Sequence, residues 1–331
     1  MGPPIIFIHY GASTYLRRSL RCARLTNPDK RIYLLGDNSN RHLARGVSIF
    51  EDFEDFAGGR KERDFQAVFQ VIQGERHRFN KSKGVEYWLK FVFRRWFLIE
   101  NFLSREGIDA FWTFDSDTMI LAPLGPREER FSQTAATTQC RGRCLNGWVG
   151  SAGLVSRYTD CILSLFHDET FLESQRELLK THAGLAFNEM DAFCEFQKRE
   201  NPTVLHAAEV IQGETFDDAL AFVDDYEQAP DPILGRTRVK RLWTGPRGGI
   251  WARKSGCFVR LLTCNMSWMP DYLWETIARS ARVGCPQNQL ENTPVDHLRP
   301  INLKEPVGSR LQRLLATTLW RIRSFLLPSR M

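Results

Sequence analysis

Two carboxylates one residue apart, Asp115 and Asp117, close a short uncharged run, Ala110-Phe111-Trp112-Thr113-Phe114. Such a run reads as a fully buried strand. Open α/β sheets bind ligands at the carboxyl ends of their strands, which is where this pair falls. Asp-x-Asp on a buried strand brings two hard oxygen ligands together on a rigid support. That is the chemistry of a divalent cation that keeps other coordination positions for a phosphate-bearing substrate.

Other residues of the right type lie elsewhere in the chain. Arg95 sits near the apolar stripe of a helix, within reach of a nucleotide or phosphate. Glu189 and Asp191 follow a glycine-containing loop, where an active site can use a carboxylate base. Asn188 and Asp191 also have capping-box spacing, so the same residues read equally well as a helix start. The stretch Asn146 to Gly153 is rich in glycine around Trp148. It suits either close approach of a ligand with Trp148 stacked on it or a tight turn with a core tryptophan. A charge reversal comes later. Asp217 to Asp231 carries five aspartates and one glutamate, and Arg236 to Lys254 carries seven Arg/Lys and no acid. The basic segment reads as a diphosphate clamp or as a solvated hairpin. Cys140 and Cys144 have the spacing of half a zinc site, but no Cys/His cluster completes one.

The elements that must position these groups follow from periodicity. Ile5 to Ile8 is a first strand, closed by a turn at His9-Tyr10-Gly11. Ser13 is the expected cap of a helix carrying Leu16, Leu20 and Ala23. Asn27-Pro28-Asp29 ends that helix, and Arg31 to Leu35 forms a second strand closing on Gly36-Asp37-Asn38. This βαβ opening predicts ligand-facing loops after Ile8 and Leu35. With no GxGxxG, hydride chemistry on a dinucleotide loses its main support. After a charge-rich region, Trp88, Val92, Trp96, Ile99 and Leu103 share a helix face ended by Gly107. Thr118 to Leu121 and Thr134 to Thr138 are further strands. Helices are predicted over 157–166, 169–182 and 188–199. Strands over 239–243 and 258–263 flank a flexible insert.

Composition bounds the class. The 331 residues are 43% hydrophobic, enough for a packed α/β core. No apolar run approaches the ~20 residues of a membrane span. A net charge of +6 is modest and does not call for nucleic acid. The start of the chain looks like a core strand and not a signal peptide, so the eight cysteines are expected as reduced thiols in the cytoplasm. From Pro306 onward five arginines and no acidic residue accompany Leu, Trp and Phe. Residues 306–331 are therefore expected to form a basic amphipathic helix at the inner membrane face, or a helix docked on the body.

Pro4–Gly11 and Asn27–Asp37 resemble the opening of bacterial GT-A-fold glycosyltransferases with a DxD motif. Trp88–Ile120, with Arg95-Trp96-Phe97 and Phe114 to Thr118, resembles the centre of that family, and Trp243–Trp268 its closing hairpin. The resemblance covers roughly residues 4 to 270. It implies a GT-A-like, Rossmann-type α/β sheet with helices on both faces. A donor-binding half of about 1–125, an acceptor half of about 126–275 and an extension over 276–331 would follow. It implies transfer of a hexosyl or related sugar from a nucleotide sugar, a UDP-sugar foremost, to a glycan or lipid-linked acceptor. Asp115 would face ribose or metal, with Ser116 beside it, and Asp117 would coordinate Mn²⁺ or Mg²⁺. His9, Tyr10, Gly11 and Asp37 would frame base and ribose. The sequence departs from the family where a His-x-x-Gly stretch is usual. Thr263 to Trp268 holds neither residue, leaving Asn265 as the candidate third ligand. The competing readings are a nucleotidyltransferase, which the lack of a triphosphate loop after the first strand opposes, and a non-catalytic glycan-binding protein, which two desolvated carboxylates oppose.

Overall fold

In the computed structural model, which describes residues 2–77, 84–233, 237–282 and 295–304, the side chains of one short strand divide between two layers. Ile5 and Phe7 of β1 (Ile5–Ile8) enter one apolar layer, Ile6 and Ile8 the other, and all four are buried. A strand that is apolar on both faces needs cover on both. Helix α1 (Leu16–Thr26) covers the first face through Leu16, Leu20 and Ala23. It starts after Tyr15, so Ser13 is not its side-chain cap. The Ser13 carbonyl accepts the Leu16 N–H at 3.2 Å while its hydroxyl turns to His9.

Strand β2 (Ile32–Gly36) runs parallel to β1 and splits its side chains in the same way. The short α2 (Arg41–Ala44) leads to β3 (Ile49–Asp52), also parallel. The second face is covered by α3 (Arg60–Val68) and by α4 (Val85–Glu106), which brings Trp96, Phe97, Phe102 and Leu103 onto the sheet. As expected, α4 stops at Gly107, whose φ of 61° is the left-handed C-cap that glycine adopts without strain. The predicted α/β sheet with helices on both faces is present.

Strand β4 (Phe111–Thr113) extends the parallel set beside β1. The chain then leaves the sheet in β5 (Thr118–Ile120) and returns as β6 (Ala136–Gln139) and β7 (Cys144–Val149). Helices α5 (Ala152–His167), α6 (Glu169–Thr181) and α7 (Glu189–Glu200) precede β8 (Val204–His206). The seven-stranded order is β3-β2-β1-β4-β7-β6-β8, with β7 antiparallel to both neighbours. The carboxyl ends of β1, β2, β4, β6 and β8 therefore share one edge.

The glycine-rich stretch resolves as core. Trp148 is 7% exposed and packs on Trp112 with centroids 5.4 Å apart, so it does not stack on a ligand. The predicted helix over 157–166 begins five residues earlier, capped by Ser151 Oγ on the Leu154 N–H.

A second sheet, order β14-β10-β11-β12-β9, contains β9 (Glu214–Thr215), β10 (Leu242–Gly245), β11 (Gly248–Lys254), β12 (Cys257–Leu261) and β14 (Arg299–Pro300). The expected flexible insert is thus largely β11, paired on both sides. Its basic region meets the acidic one that precedes it. Lys240 pairs with Asp217, and Arg241 and Arg253 pair with Glu227 at 2.7 and 3.7 Å. The charge reversal is self-complementary rather than a free diphosphate clamp. Finally β13 (Thr263–Asn265) pairs antiparallel with β5, and α8 (Asp271–Ala281) packs Leu273, Trp274 and Ile277 against the second sheet. The basic stretch over 306–331 lies outside the described residues. Among the described residues no helix is long and apolar enough to cross a membrane.

Candidate metal and nucleotide site

The turn after β4 is short and held from several sides. The Thr118 N–H donates to the Asp115 carbonyl at 2.8 Å, closing a four-residue turn over Asp115-Ser116-Asp117-Thr118. Ser19 of α1 donates its hydroxyl to the Ser116 carbonyl at 2.7 Å. The β5–β13 ladder sets Thr118 against Asn265, and the Met266 N–H donates to the Asp117 carbonyl at 2.9 Å. The turn sits where the main sheet ends and a residue pair some 150 positions later in sequence returns.

That return places Asn265 beside Asp117. Ser267 Oγ lies 2.9 Å from Asp117 Oδ2 and 2.7 Å from Asn265 Oδ1. The Ser267 N–H also donates to Asn265 Oδ1 at 3.0 Å, which fixes the oxygen of that amide on this side. One hydroxyl proton serves only one of the two acceptors at a time. Three hard oxygens therefore converge around one hydroxyl proton, an arrangement that suits Mg²⁺ or Mn²⁺. Among the described residues no group of three His, Cys, Asp or Glu could hold a metal, so a cation here would rest on the Asp117 carboxylate together with the neutral oxygens of Asn265 and Ser267. The sequence reading named Asn265 but missed Ser267. Its signal is spatial, arising from β5–β13 pairing.

Asp115 has a different partner. Arg95 Nη1 meets Asp115 Oδ1 at 2.7 Å, and its Nη2 meets Glu189 Oε1 at 3.1 Å. The Arg95 side chain is 13% exposed. Burial opposes its charge, yet Asp115 and then Glu189 outweigh that and hold it firmly protonated. Burial pushes the Glu189 carboxyl up, with Arg95 opposing and Asp115 adding to the rise. Glu189 Oε2, Arg95 Nε and Asn146 Oδ1 are buried with no hydrogen-bond partner among the described residues. Asn146 Nδ2 approaches Asp115 Oδ2 at 3.4 Å. A small cavity beside Asp115 is lined by Ile8, Arg95, Thr113, Asp115 and Asn146, among others. Unsatisfied buried polar groups of this kind mark a place where a ligand or ordered water supplies the missing bonds.

Asp191 is more committed than Glu189. Its carboxylate accepts the Asn188 N–H at 3.2 Å, completing the capping box of α7, and it pairs with Arg143.

The loops after β1 and β2 close the other side. His9 Nδ1 lies 2.8 Å from Ser116 Oγ, and His9 Nε2 lies 2.9 Å from Ser13 Oγ. Asp37 Oδ2 accepts the Gly11 N–H at 2.7 Å, and Gly11 has a φ of 80° that favours glycine. Asn40, fully buried, donates to the His9 carbonyl at 2.9 Å. His9, Gly11, Asp37 and the Asp115–Asp117 turn thus form one linked edge. Tyr10 packs away from it in part, its ring edge-on to Phe91 at 4.7 Å. Tyr15 borders the turn, and burial first, then the Asp117 charge, push its phenol up.

No family model and no curated protein matches this chain. Solved structures do. Mouse xyloside xylosyltransferase 1 in its apo form is similar at 12% identity and a TM-score of 0.42, over 62% of this chain and 84% of that one. The PaToxG glycosyltransferase is similar at 13% identity and a TM-score of 0.36, over 60% and 68%. Apo GlyE, a glycosyltransferase of Streptococcus pneumoniae TIGR4, is similar at 14% identity and a TM-score of 0.29, over 62% and 45%. The chain resembles each of them over part of its length.

Proposed function

We propose that this chain is a divalent-metal-dependent glycosyltransferase, taking a nucleotide sugar as donor and a glycan or lipid-linked hydroxyl as acceptor. The observation that carries the reading is the convergence of Asp117, Asn265 and Ser267 oxygens at the carboxyl edge of the sheet, beside the linked loops of β1 and β2. Asp117, Asn265 and Ser267 would hold Mn²⁺ or Mg²⁺. When bound, the ion would neutralise charge on the diphosphate of the departing nucleotide. A UDP-sugar is the donor implied by the resemblance of the turn and its neighbours.

The protein groups have separable tasks. Arg95 fixes Asp115 through Oδ1, which leaves Oδ2, approached by Asn146 Nδ2 at 3.4 Å, to accept hydrogen bonds from ribose hydroxyls. Gly11 and Asp37, tied to each other, and His9, tied to Ser116, shape the ribose and base end. Of the two acids proposed for the reacting centre, Glu189 has an oxygen to spare, whereas Asp191 is engaged by the cap and by Arg143. Glu189 is accordingly the carboxylate assigned to the acceptor hydroxyl or the developing positive charge of the sugar.

The test is release of nucleoside diphosphate from a panel of nucleotide sugars, in Mn²⁺ and in EDTA. Asp117→Asn should lower turnover by about 100-fold or more, since it removes a charge-stabilising group, with little change in melting temperature. Unchanged turnover in that variant would sink the assignment. Release of pyrophosphate from a nucleoside triphosphate would favour nucleotidyl transfer instead.

A further inference from the structure

Trp268 is the most exposed of the large apolar side chains among the described residues, at 80%. Its backbone is left-handed, with φ at 61°. A tryptophan is strained there, and glycine or asparagine would adopt the conformation more cheaply. The turn requires it all the same. The Met269 N–H donates to the Met266 carbonyl at 2.9 Å, and the intervening Ser267 must point back at Asp117 and Asn265. The chain thus keeps a large indole in water, at a strained position, one residue from the oxygens assigned to the metal. Among the described residues it is neither core nor helix cap.

The segment that carries Trp268 is fixed at both ends. On one side Met266 and Ser267 are bonded to Asp117. On the other, Thr14 Oγ1 donates to Asp271 Oδ1 at 3.0 Å and Tyr15 stacks on Trp274 at 5.0 Å. A rigid support for an exposed ring is what a binding platform needs. Aromatic faces are electron-rich, and the C–H face of a pyranose is complementary to them while its hydroxyls stay wet.

Building on the glycosyl-transfer reading, we propose that Trp268 is the stacking platform for a pyranose ring at this site, belonging either to the donor or to the acceptor. The ring would lie over the indole, beside phosphates that a divalent ion on Asp117, Asn265 and Ser267 would hold, and Trp268 would select ligands by their apolar face.

The experiment uses the full chain and the variants Trp268→Gly and Trp268→Phe. Binding of UDP, UDP-glucose, UDP-galactose and UDP-N-acetylglucosamine in Mn²⁺ is measured by calorimetry. Methyl glycosides are titrated with and without UDP while tryptophan emission is followed. Trp268→Gly should melt no lower than wild type, because glycine relaxes the turn, and should bind UDP unchanged. It should lose about tenfold in affinity, or about 1.4 kcal/mol, for the nucleotide sugars if the donor ring stacks there, or for the methyl glycosides if the acceptor does. Trp268→Phe should retain most of that affinity but lose the change in tryptophan emission expected of the wild type when the sugar binds. Equal weakening of UDP itself would place the base on the indole and overturn the proposal, as would unchanged affinity for every sugar. If wild type binds no UDP in Mn²⁺, the nucleotide-sugar reading fails, and the glycoside titrations without nucleotide still decide the role of Trp268.

Discussion

Replacing Lys240 by Met should be among the most damaging single changes to the fold, and its effect should depend on pH in a stated direction. Lys240 and Asp217 are both 0% exposed and form an ion pair. Lys240 Nζ also donates to the Ala219 carbonyl at 2.9 Å and lies 4.2 Å from the Tyr226 ring centroid. The other Asp217 oxygen accepts the Asn265 N–H at 3.0 Å, so the pair also underpins the candidate metal site. Removing one partner of a buried pair leaves an uncompensated charge, at a cost of about 3–5 kcal/mol. For a chain of 331 residues that corresponds to a fall in Tm of roughly 4–7 °C.

The sign with pH follows from Asp217. Burial already raises its carboxyl above the ordinary value of 3.8, with Lys240 pulling it down. Without Lys240 it rises further. A carboxyl raised in the folded state contributes stability that is fully present below its unfolded pKa and lost as pH rises through the folded one. The deficit of Lys240→Met should therefore be largest at pH 8 and shrink towards pH 5. Asp217→Asn combined with Lys240→Met should recover about 2 kcal/mol or more, because no charge is left buried. Urea denaturation of the three proteins at both pH values is the assay. A Lys240→Met deficit below about 1 kcal/mol, or a double variant worse than the single, would refute the reasoning.

Other perturbations separate positioning from structure. Arg95→Lys should cut turnover sharply, since an ammonium cannot reproduce the fork to Asp115 and Glu189; kinetics equal to wild type would contradict this. Ser267→Ala should weaken Mn²⁺ about tenfold, about 1.4 kcal/mol, while leaving metal-free nucleotide binding unchanged by calorimetry. Asn188→Ala removes the α7 cap and should cost about 1 kcal/mol in a denaturant melt, with turnover little changed.

Much of the framework was legible in the sequence because it is local. Ile5–Ile8, Phe111–Thr113 and the stop at Gly107 follow from short apolar runs and a C-cap glycine. The Asn188–Asp191 capping box was legible from spacing alone. What stayed hidden is long-range. Arg95 and Glu189 meet across 94 positions, and Ser267 reaches Asp117 across 150. No periodicity encodes those encounters. Strand β11 was read as flexible because two glycines at its start and two adjacent basic residues at its end mask its pattern, yet pairing with β10 and β12 overrides that local signal. Trp148 was ambiguous for the same reason. Only the partner, here Trp112, distinguishes a stacking platform from a core ring.

The central claim is that Asp117 holds a divalent metal that in turn holds the nucleotide. Calorimetric titration of UDP into wild type and Asp117→Asn, each in Mn²⁺ and in EDTA, tests it most directly. The account predicts that wild type binds UDP at least about tenfold more tightly with Mn²⁺ than without, and that Asp117→Asn loses this increment while its melting temperature holds. Metal-dependent binding of UDP by Asp117→Asn at wild-type affinity would contradict it.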